Sequence, residues 1–308
     1  MNEDVFLEML NQYFSASAPG VLAGRGDDCA WIENDSSLAI SVDLFLEHVH
    51  FLRSYFQPED IGYKALAVNL SDLAACGARP YFFLLSLIWP SYLDLNFAQK
   101  MFKTMAELAK VWGLVLVGGD LSRGQSLGLS ITIAGKVQAR FIPRKQAKPG
   151  DVVFVLGELG LSHVGLLVLK EKIGDKQDFG QSIAQHLRPR IYLKESFALN
   201  PYVKSMLDVS DGVGRDLFRL LPKGLGVELK EINLHPEVKK MARLLNVSAL
   251  DLALSGGEDF ALLGIAEEKD LAQLKKIGHV WELGRVVARE GIFWRGQKLS
   301  CQGFDHFA

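Results

Sequence analysis

The 308 residues carry 34 Lys and Arg against 36 Asp and Glu, a formal net charge of −2 that gives no basic footprint for nucleic acid or an anionic membrane surface. Hydrophobic residues make up 49% and charged residues 23%, which excludes a disordered chain and supplies core material for two medium domains. Cys29, Cys76 and Cys301 stand far apart without a CxxC, as suits reduced thiols in a cytoplasmic protein, and the acidic start MNEDVFLEML lacks a signal-peptide pattern. No apolar run reaches the roughly 18 residues that span a bilayer.

In chain order, Val5 to Phe14 has helical apolar spacing, broken by SASAPG. CAWIE and LAISVD read as short strands, the second ending at Asp43. His48 and His50 flank Val49 and would share one face of a strand. Residues 61 to 78 read as a buried helix ended by Gly77 and Pro80, with Asp72 in its middle and no Lys or Arg three or four residues away. YFFLLSLIW is a continuous apolar strand, Leu93 to Trp112 an amphipathic helix, and GLVLVGGD a strand emptying into a Gly-rich turn. LGLSITIAGKV is a further strand. The basic stretch FIPRKQAKPGD places a domain boundary after Lys148, giving domains 1–148 and 149–308.

The second half begins with DVVFVLG and a helix from Leu161 to Glu171, then helices up to Asn200 and the strand-like SMLDVSDG. A helix from Val213, the strand GVELKEI, a helix from Pro236 to Leu245, and strands near 280–287 and 292–294 follow. Strands and helices interleave in both halves, an α/β or mixed α+β pattern in two layers.

The acidic residues form the strongest pattern. Asp27 and Asp28, Asp43, Asp72, Asp120, Asp208 and Asp211 each lie at the edge of an apolar or tightly packed segment, beside Gly or Ser. Bare carboxylates crowded in low dielectric raise one another's pKa, and divalent cations resolve that conflict. Oxygen donors without a Cys/His cluster favour Mg²⁺, which commonly also holds substrate phosphates. Gly118 and Gly119 before Asp120, with Ser122 and Arg123 beyond, offer N–H groups, a hydroxyl and a guanidinium around one carboxylate. Arg144 is a second phosphate candidate. Ser210 shares a face with Asp208 if that strand continues, and Asp211 is placed to cap the following helix. Gly256-Gly257-Glu258-Asp259 repeats the Gly-Gly-acid pattern. No P-loop is present, GRGDDC departs from the dinucleotide-binding pattern at Cys29, and Asp178-Phe179-Gly180 lacks the rest of a protein-kinase signature.

Taken together, GDDCAWI, SVDLFLEHVHF, IGYKALAVNLSDLAACGARP, GGDLSRG, the Pro-Gly-Asp at 149–151, LDVSDGVGRDL and SGGEDFALL resemble, in this order, the thiamine-monophosphate kinases of the aminoimidazole ribonucleotide synthetase-like superfamily. The resemblance covers nearly the whole chain. It implies that superfamily's two-domain fold and a homodimer, with the N-terminal sheet used in dimerisation. It also implies ATP-dependent phosphorylation of thiamine monophosphate to thiamine diphosphate with several Mg²⁺ ions.

Carried over by motif, Asp27, Ser41, Val42, Asp43, Asp72, Asp120, Asp208 and Asp211 are implied metal ligands, with Asp43, Asp72, Asp120 and Asp208 central to catalysis. Phe102, Gly119, Asp120, Arg144 and Ser210 are implied at the ATP site, and His50, Glu258 and Trp294 at the thiamine phosphate site. Val42 stands where the family usually has a hydroxyl residue and offers a backbone carbonyl, Leu121 replaces a Thr, and Phe260-Ala261 replaces Tyr-Glu. The alternatives are a sister ATP-dependent synthetase and a non-catalytic binder. The resemblance to the sister branches is weaker: the hydrogenase-maturation branch has a C-terminal Cys where this sequence reads DHFA, and the selenophosphate branch a reactive Cys or selenocysteine near its N-terminus that has no counterpart in this sequence.

Overall fold

Residue contacts divide the chain into one unit of 1–73 with 78–138 and a second of 74–77 with 139–308. The structure, a computed structural model, describes residues 3–14, 19–23, 31–33, 35–140, 142–300 and 303–304. Asp27, Asp28 and Cys29 lie outside the described residues.

The first unit runs α1 (Glu3–Tyr13), β1 (Val21–Ala23), β2 (Trp31–Ile32), β3 (Leu38–Leu46), α2 (Pro58–Cys76), β4 (Ala78–Pro90), α3 (Leu95–Trp112), β5 (Val115–Gly124) and β6 (Gly128–Val137). β1 and β2 pair antiparallel, and the other four strands form a sheet in the order β3-β6-β4-β5. Only β4 and β5 run parallel, joined through α3. Helix α3 forms as its spacing predicts: Asp94 caps it by accepting from Phe97 N–H at 2.8 Å, Ala98, Met101, Phe102, Met105 and Ala109 are buried along one stripe, and Gly113 ends it in the left-handed region. Alternation along β3 buries Phe45 and leaves Ile40, Val42 and Leu44 exposed on the other face.

Helix α2 begins at Pro58, as expected of a proline opening the Asp72 helix, because Pro suits the first helical position and Asp60 reaches back to the Gln57 N–H at 3.1 Å. Asp72 is therefore near its C-terminal end and not in its middle. Strand β3 continues to Leu46, and the chain then turns, so His48 and His50 do not share a strand face. His48 has φ of 72°, and the His50 N–H donates to the Leu46 carbonyl at 2.8 Å. The expected Gly-rich turn at Gly118 to Asp120 is also absent. β5 stays extended to Gly124 beside β4, since a Cβ at Gly119 would lie 1.8 Å from the Leu85 carbonyl oxygen and only glycine permits that approach.

The second unit contains β7 (Val152–Leu156), α4 (Leu161–Leu169), a 3₁₀ turn (Lys176–Phe179), α5 (Gly180–Leu187), α6 (Leu193–Leu199), β8 (Val203–Asp208), α7 (Val213–Leu220), β9 (Gly226–Leu229), α8 (Pro236–Leu245), α9 (Ala249–Ser255), β10 (Leu262–Ala266), α10 (Leu271–Leu274), β11 (Val280–Val287), β12 (Gly291–Trp294) and β13 (Gln297–Lys298). Its seven-stranded sheet has the order β13-β12-β9-β11-β7-β10-β8. β12 runs parallel to β9, and the remaining pairs are antiparallel. Every residue of β7 and β10 is buried, as their unbroken apolar sequences require. Their core includes Val153, Val155, Leu263 and Ile265, with Val164, Val213, Leu217, Val238 and Met241 from the helices.

The basic stretch expected to close the first domain packs within the second unit: Lys145 N–H donates to the Leu220 carbonyl at 2.9 Å, Gln146 N–H to Ser205 Oγ at 3.0 Å, and Ala147 joins the core. Both units together form a mixed α/β, two-domain fold.

Candidate active site

In the first unit, β3 and α2 bring one carboxylate pair together. The Ser41 hydroxyl donates to Asp72 Oδ2 at 2.5 Å. Burial, then the neighbouring Asp72 charge and a hydrogen bond with Asp72, push the Asp43 carboxyl up from 3.8 to about 7. Two oxygen acids and a hydroxyl, one acid driven towards its neutral form by the other, make a donor set that a hard divalent cation satisfies. Among the described residues no three His, Cys, Asp or Glu side chains form a ready cage.

Asp120 occupies a different row of the sheet. Asp43 is opposite Ile131, which is opposite Leu85, which pairs with Gly119. Asp120 belongs to the next row, with Ser86, Ser130 and Leu44. Successive rows point to opposite faces. Asp120 thus shares its face with the exposed Val42 and Leu44 rather than with Asp43, and its carboxylate accepts from the Ser122 hydroxyl at 3.4 Å.

His50 Nδ1 accepts from the Leu46 N–H at 3.0 Å, which leaves the ring proton on Nε2, and its ring stacks on Phe45 with centroids 6.0 Å apart. That turn is anchored by Glu47, whose carboxylate takes hydrogen bonds from Arg53, from the Tyr92 hydroxyl at 2.7 Å and from Leu127 N–H at 3.0 Å. Burial pushes the Glu47 carboxyl up, but these three partners outweigh it and hold the group below its ordinary 4.5. Phe102 is fully buried, its ring 6.5 Å from that of Phe14.

In the second unit, the segments LDVSDG and SGGEDF are stitched backbone to backbone. Val209 N–H donates to the Ala261 carbonyl at 2.8 Å, Phe260 N–H to Val209 at 2.9 Å and Glu258 N–H to Ser210 at 2.7 Å. A Cβ on Gly257 would meet the Ser210 carbonyl oxygen at 2.5 Å, which is why glycine stands there. Strand β8 ends at Asp208, so Ser210 does not share a strand face with it. Ser210 and Asp211 instead donate their N–H groups to Asp216 Oδ2 at 3.1 and 2.9 Å. Asp211 does not cap α7: no side chain caps that helix, and Asp211 pairs with Arg219 at 2.6 Å. Arg219 also reaches Asp216 at 2.8 Å.

Sequence reasoning missed Asp216. Its spacing at the end of SDGVGRD was the available signal. Asp259, which in the sequence stands out only as part of the Gly-Gly-acid pattern, is buried and accepts from Gly160 N–H at 2.6 Å and Ser162 N–H at 2.9 Å, closing the start of α4. Burial pushes its carboxyl up to about 7 against the pull of those two N–H groups. Trp294 is half-buried on the core with the Arg295 guanidinium 5.3 Å from its ring, and Arg144 is exposed. Beside the GGED turn opens a pocket of about 360 Å³ lined in part by Gly157, Glu158, Gln185 and Tyr192, and Gln185 donates from it to the Asp259 carbonyl at 2.7 Å.

The family model for AIR synthase related protein, N-terminal domain, matches residues 26–137, and that for the C-terminal domain matches 148–295. The thiamine-monophosphate kinase of Escherichia coli (strain K12) is 35% identical over 319 residues, covering 97% of each chain. That of Aquifex aeolicus is 33% identical over 287 residues, covering 92% of each. Among solved structures, AaThiL complexed with AMPPCP and TMP matches with a TM-score of 0.81 at 31% identity, covering 99% of this chain and 95% of that one. The Escherichia coli hydrogenase maturation protein HypE shares the fold, with a TM-score of 0.79 at 20% identity over 97% of each chain. With both domain models matched in order and kinases of thiamine monophosphate aligned along almost all of its length, the chain belongs to the AIR synthase related family, in its thiamine-monophosphate kinase branch.

Proposed function

We propose that the protein transfers the γ-phosphoryl group of ATP to the phosphate of thiamine monophosphate, giving thiamine diphosphate and ADP. The observation that carries this reading is the match of nearly the whole chain to a relative complexed with AMPPCP and TMP. The paired Asp43 and Asp72 with Ser41 support it from within the fold.

The acceptor is a phosphate oxygen that is already anionic near neutral pH, so the site needs no strong general base. Alignment and charge neutralisation do the work. Mg²⁺, when bound, supplies the positive charge that screens the phosphates and orients an in-line transfer. In this reading Asp27, Ser41, the Val42 carbonyl, Asp43 and Asp72 are metal ligands in the first unit, where Asp120 on the other face of the sheet serves a separate ion, and Asp208 and Asp211 are metal ligands in the second unit. Gly119 in the first unit and Arg144 and Ser210 in the second serve the nucleotide, whereas Phe102, fully buried in α3, offers it no surface. His50 presents an Nε2–H to the acceptor, Glu258 complements its cationic ring, and Trp294 offers an aromatic face.

The working molecule is a cytoplasmic homodimer. The exposed Ile40, Val42 and Leu44 on edge strand β3 form an apolar row that a second copy covers. Among the described residues no helix is long and apolar enough to cross a membrane.

Incubation with Mg²⁺, ATP and, separately, thiamine monophosphate, thiamine and selenide, followed by chromatography, tests the assignment. Thiamine diphosphate formed from the monophosphate, with little use of thiamine, is expected. Selenide-dependent ATP consumption would favour a sister synthetase, and binding without turnover a non-catalytic protein.

A further inference from the structure

Glu258 holds a backbone conformation its residue type seldom takes, with φ of +62°, and Phe260 follows at +49°. The turn is fixed by the pairing of Glu258 and Phe260 N–H groups with the Ser210 and Val209 carbonyls. Against its carboxylate stands a buried pair from two helices. His186 Nδ1 of α5 is 3.5 Å from Glu258 Oε2 and 3.2 Å from Ser162 Oγ of α4. The His186 side chain is 1% exposed and that of Glu258 29%, so the imidazole faces the root of a carboxylate whose remaining surface meets solvent.

One ring nitrogen looks at two oxygens. An N–H there attracts both, whereas a lone pair would repel the carboxylate, and these partners assign the proton to Nδ1. Ser162 is fixed in turn, because Asp259 accepts from the Gly160 and Ser162 N–H groups and sets the first turn of α4. Gln185, next to His186, ties α5 to the same turn through the Asp259 carbonyl at 2.7 Å.

We propose that Ser162 and His186 are positioning residues that hold the Glu258 carboxylate in the orientation that receives the cationic ring of the acceptor. The inference rests on the reading of Glu258 given above. Neither residue touches substrate. Both act by removing rotamer freedom that Glu258 would otherwise lose on binding, and by directing one carboxylate oxygen inward so that the other meets the ligand.

The test uses the full chain and compares E258Q, H186L, H186N, S162A and the double variant H186L/E258Q, reading KM for thiamine monophosphate and for ATP separately, with a thermal melt for each. H186L is expected to raise the acceptor KM about tenfold, the scale on which groups behind a ligating residue act, and to leave the ATP KM within about twofold. H186N should recover part of the loss, since its amide restores a donor, and H186L should add nothing in the E258Q background. If H186L fails to fold, S162A and H186N carry the same comparison. Additive effects in the double variant, an equal rise in both KM values, or unchanged acceptor KM in the His186 and Ser162 variants while E258Q raises it would each overturn the positioning role and leave the reading of Glu258 standing. An E258Q variant with unchanged acceptor KM would overturn that reading and this inference together.

Discussion

The Ser41 hydroxyl donates to Asp72 Oδ2 at 2.5 Å, joining strand β3 to helix α2 beside Asp43. The contact leaves Asp72 an acceptor with further lone pairs and holds it next to a second acid. Replacing Asp72 by Asn keeps the hydroxyl partner and removes the charge. We expect Asp72→Asn to lower kcat with Mg²⁺ and ATP by about 100-fold or more while the metal-free protein melts at the same temperature or slightly higher. The same loss is expected for the exposed Asp120→Asn. Near-full turnover in either variant would remove that residue from the metal site.

The Asp43 carboxyl sits at about 7 in the folded chain against an ordinary 3.8. A raised folded value means that the protonated group contributes stability fully below the unfolded value and loses it as pH climbs to the folded one. In EDTA, Asp43→Asn should therefore gain on the wild type between pH 4 and 7 and level off above, with an advantage of roughly 1–3 kcal/mol at pH 8. Urea melts at pH 4.5 and pH 8 measure it, and an advantage that shrinks as pH rises would contradict the assignment.

Mg²⁺ and ATP should raise the thermal midpoint more together than the sum of either alone, because an ion that takes ligands from both the protein carboxylates and the nucleotide phosphates would bind each more tightly in the presence of the other. Strictly additive shifts would mean independent metal and nucleotide sites.

Glu47 is held below its ordinary value of 4.5, so its stabilisation is present above that pH and disappears as pH falls through the lower folded value. Glu47→Gln breaks the bond to Arg53 and weakens those from Tyr92 and Leu127, and should cost about 2 kcal/mol at pH 7. The difference from wild type should narrow below pH 4. Loosening this turn should also raise the acceptor KM through His50, which steady-state kinetics would detect.

Ile40 and Leu44 point outward from the edge strand and are 66% and 55% exposed. The double variant I40K/L44K should shift the protein from dimer to monomer in light scattering, since burying two ammonium groups against an apolar partner is strongly unfavourable. A wild type that is already monomeric would sink the dimer reading.

The ordered Asp, Gly and Ser motifs, the interleaved strands and helices, the start of α7 and the bounds of α8 and β11 were all legible in the sequence, because apolar periodicity and capping residues act over a few positions. The Gly119 neighbourhood was not. A glycine pair reads as a turn until the Leu85 carbonyl of the adjacent strand is seen to occupy the space where a Cβ would go. The same holds for Asp208 to Asp211, where Asp216 collects the backbone N–H groups that a continued strand would have paired.

By itself the sequence determined the donor chemistry, hard oxygens without a soft cluster, and the family to which those motifs belong. Tertiary structure alone decided which carboxylates become neighbours: sheet register puts Asp43 and Asp120 in rows of opposite face, while helix α2 delivers Asp72 to Ser41. It alone set the buried His186 and Ser162 behind Glu258. The reason is physical. Residue type fixes what an atom can bind, but distance and burial, which set pKa and rotamer, arise only when segments far apart in the chain close on one another.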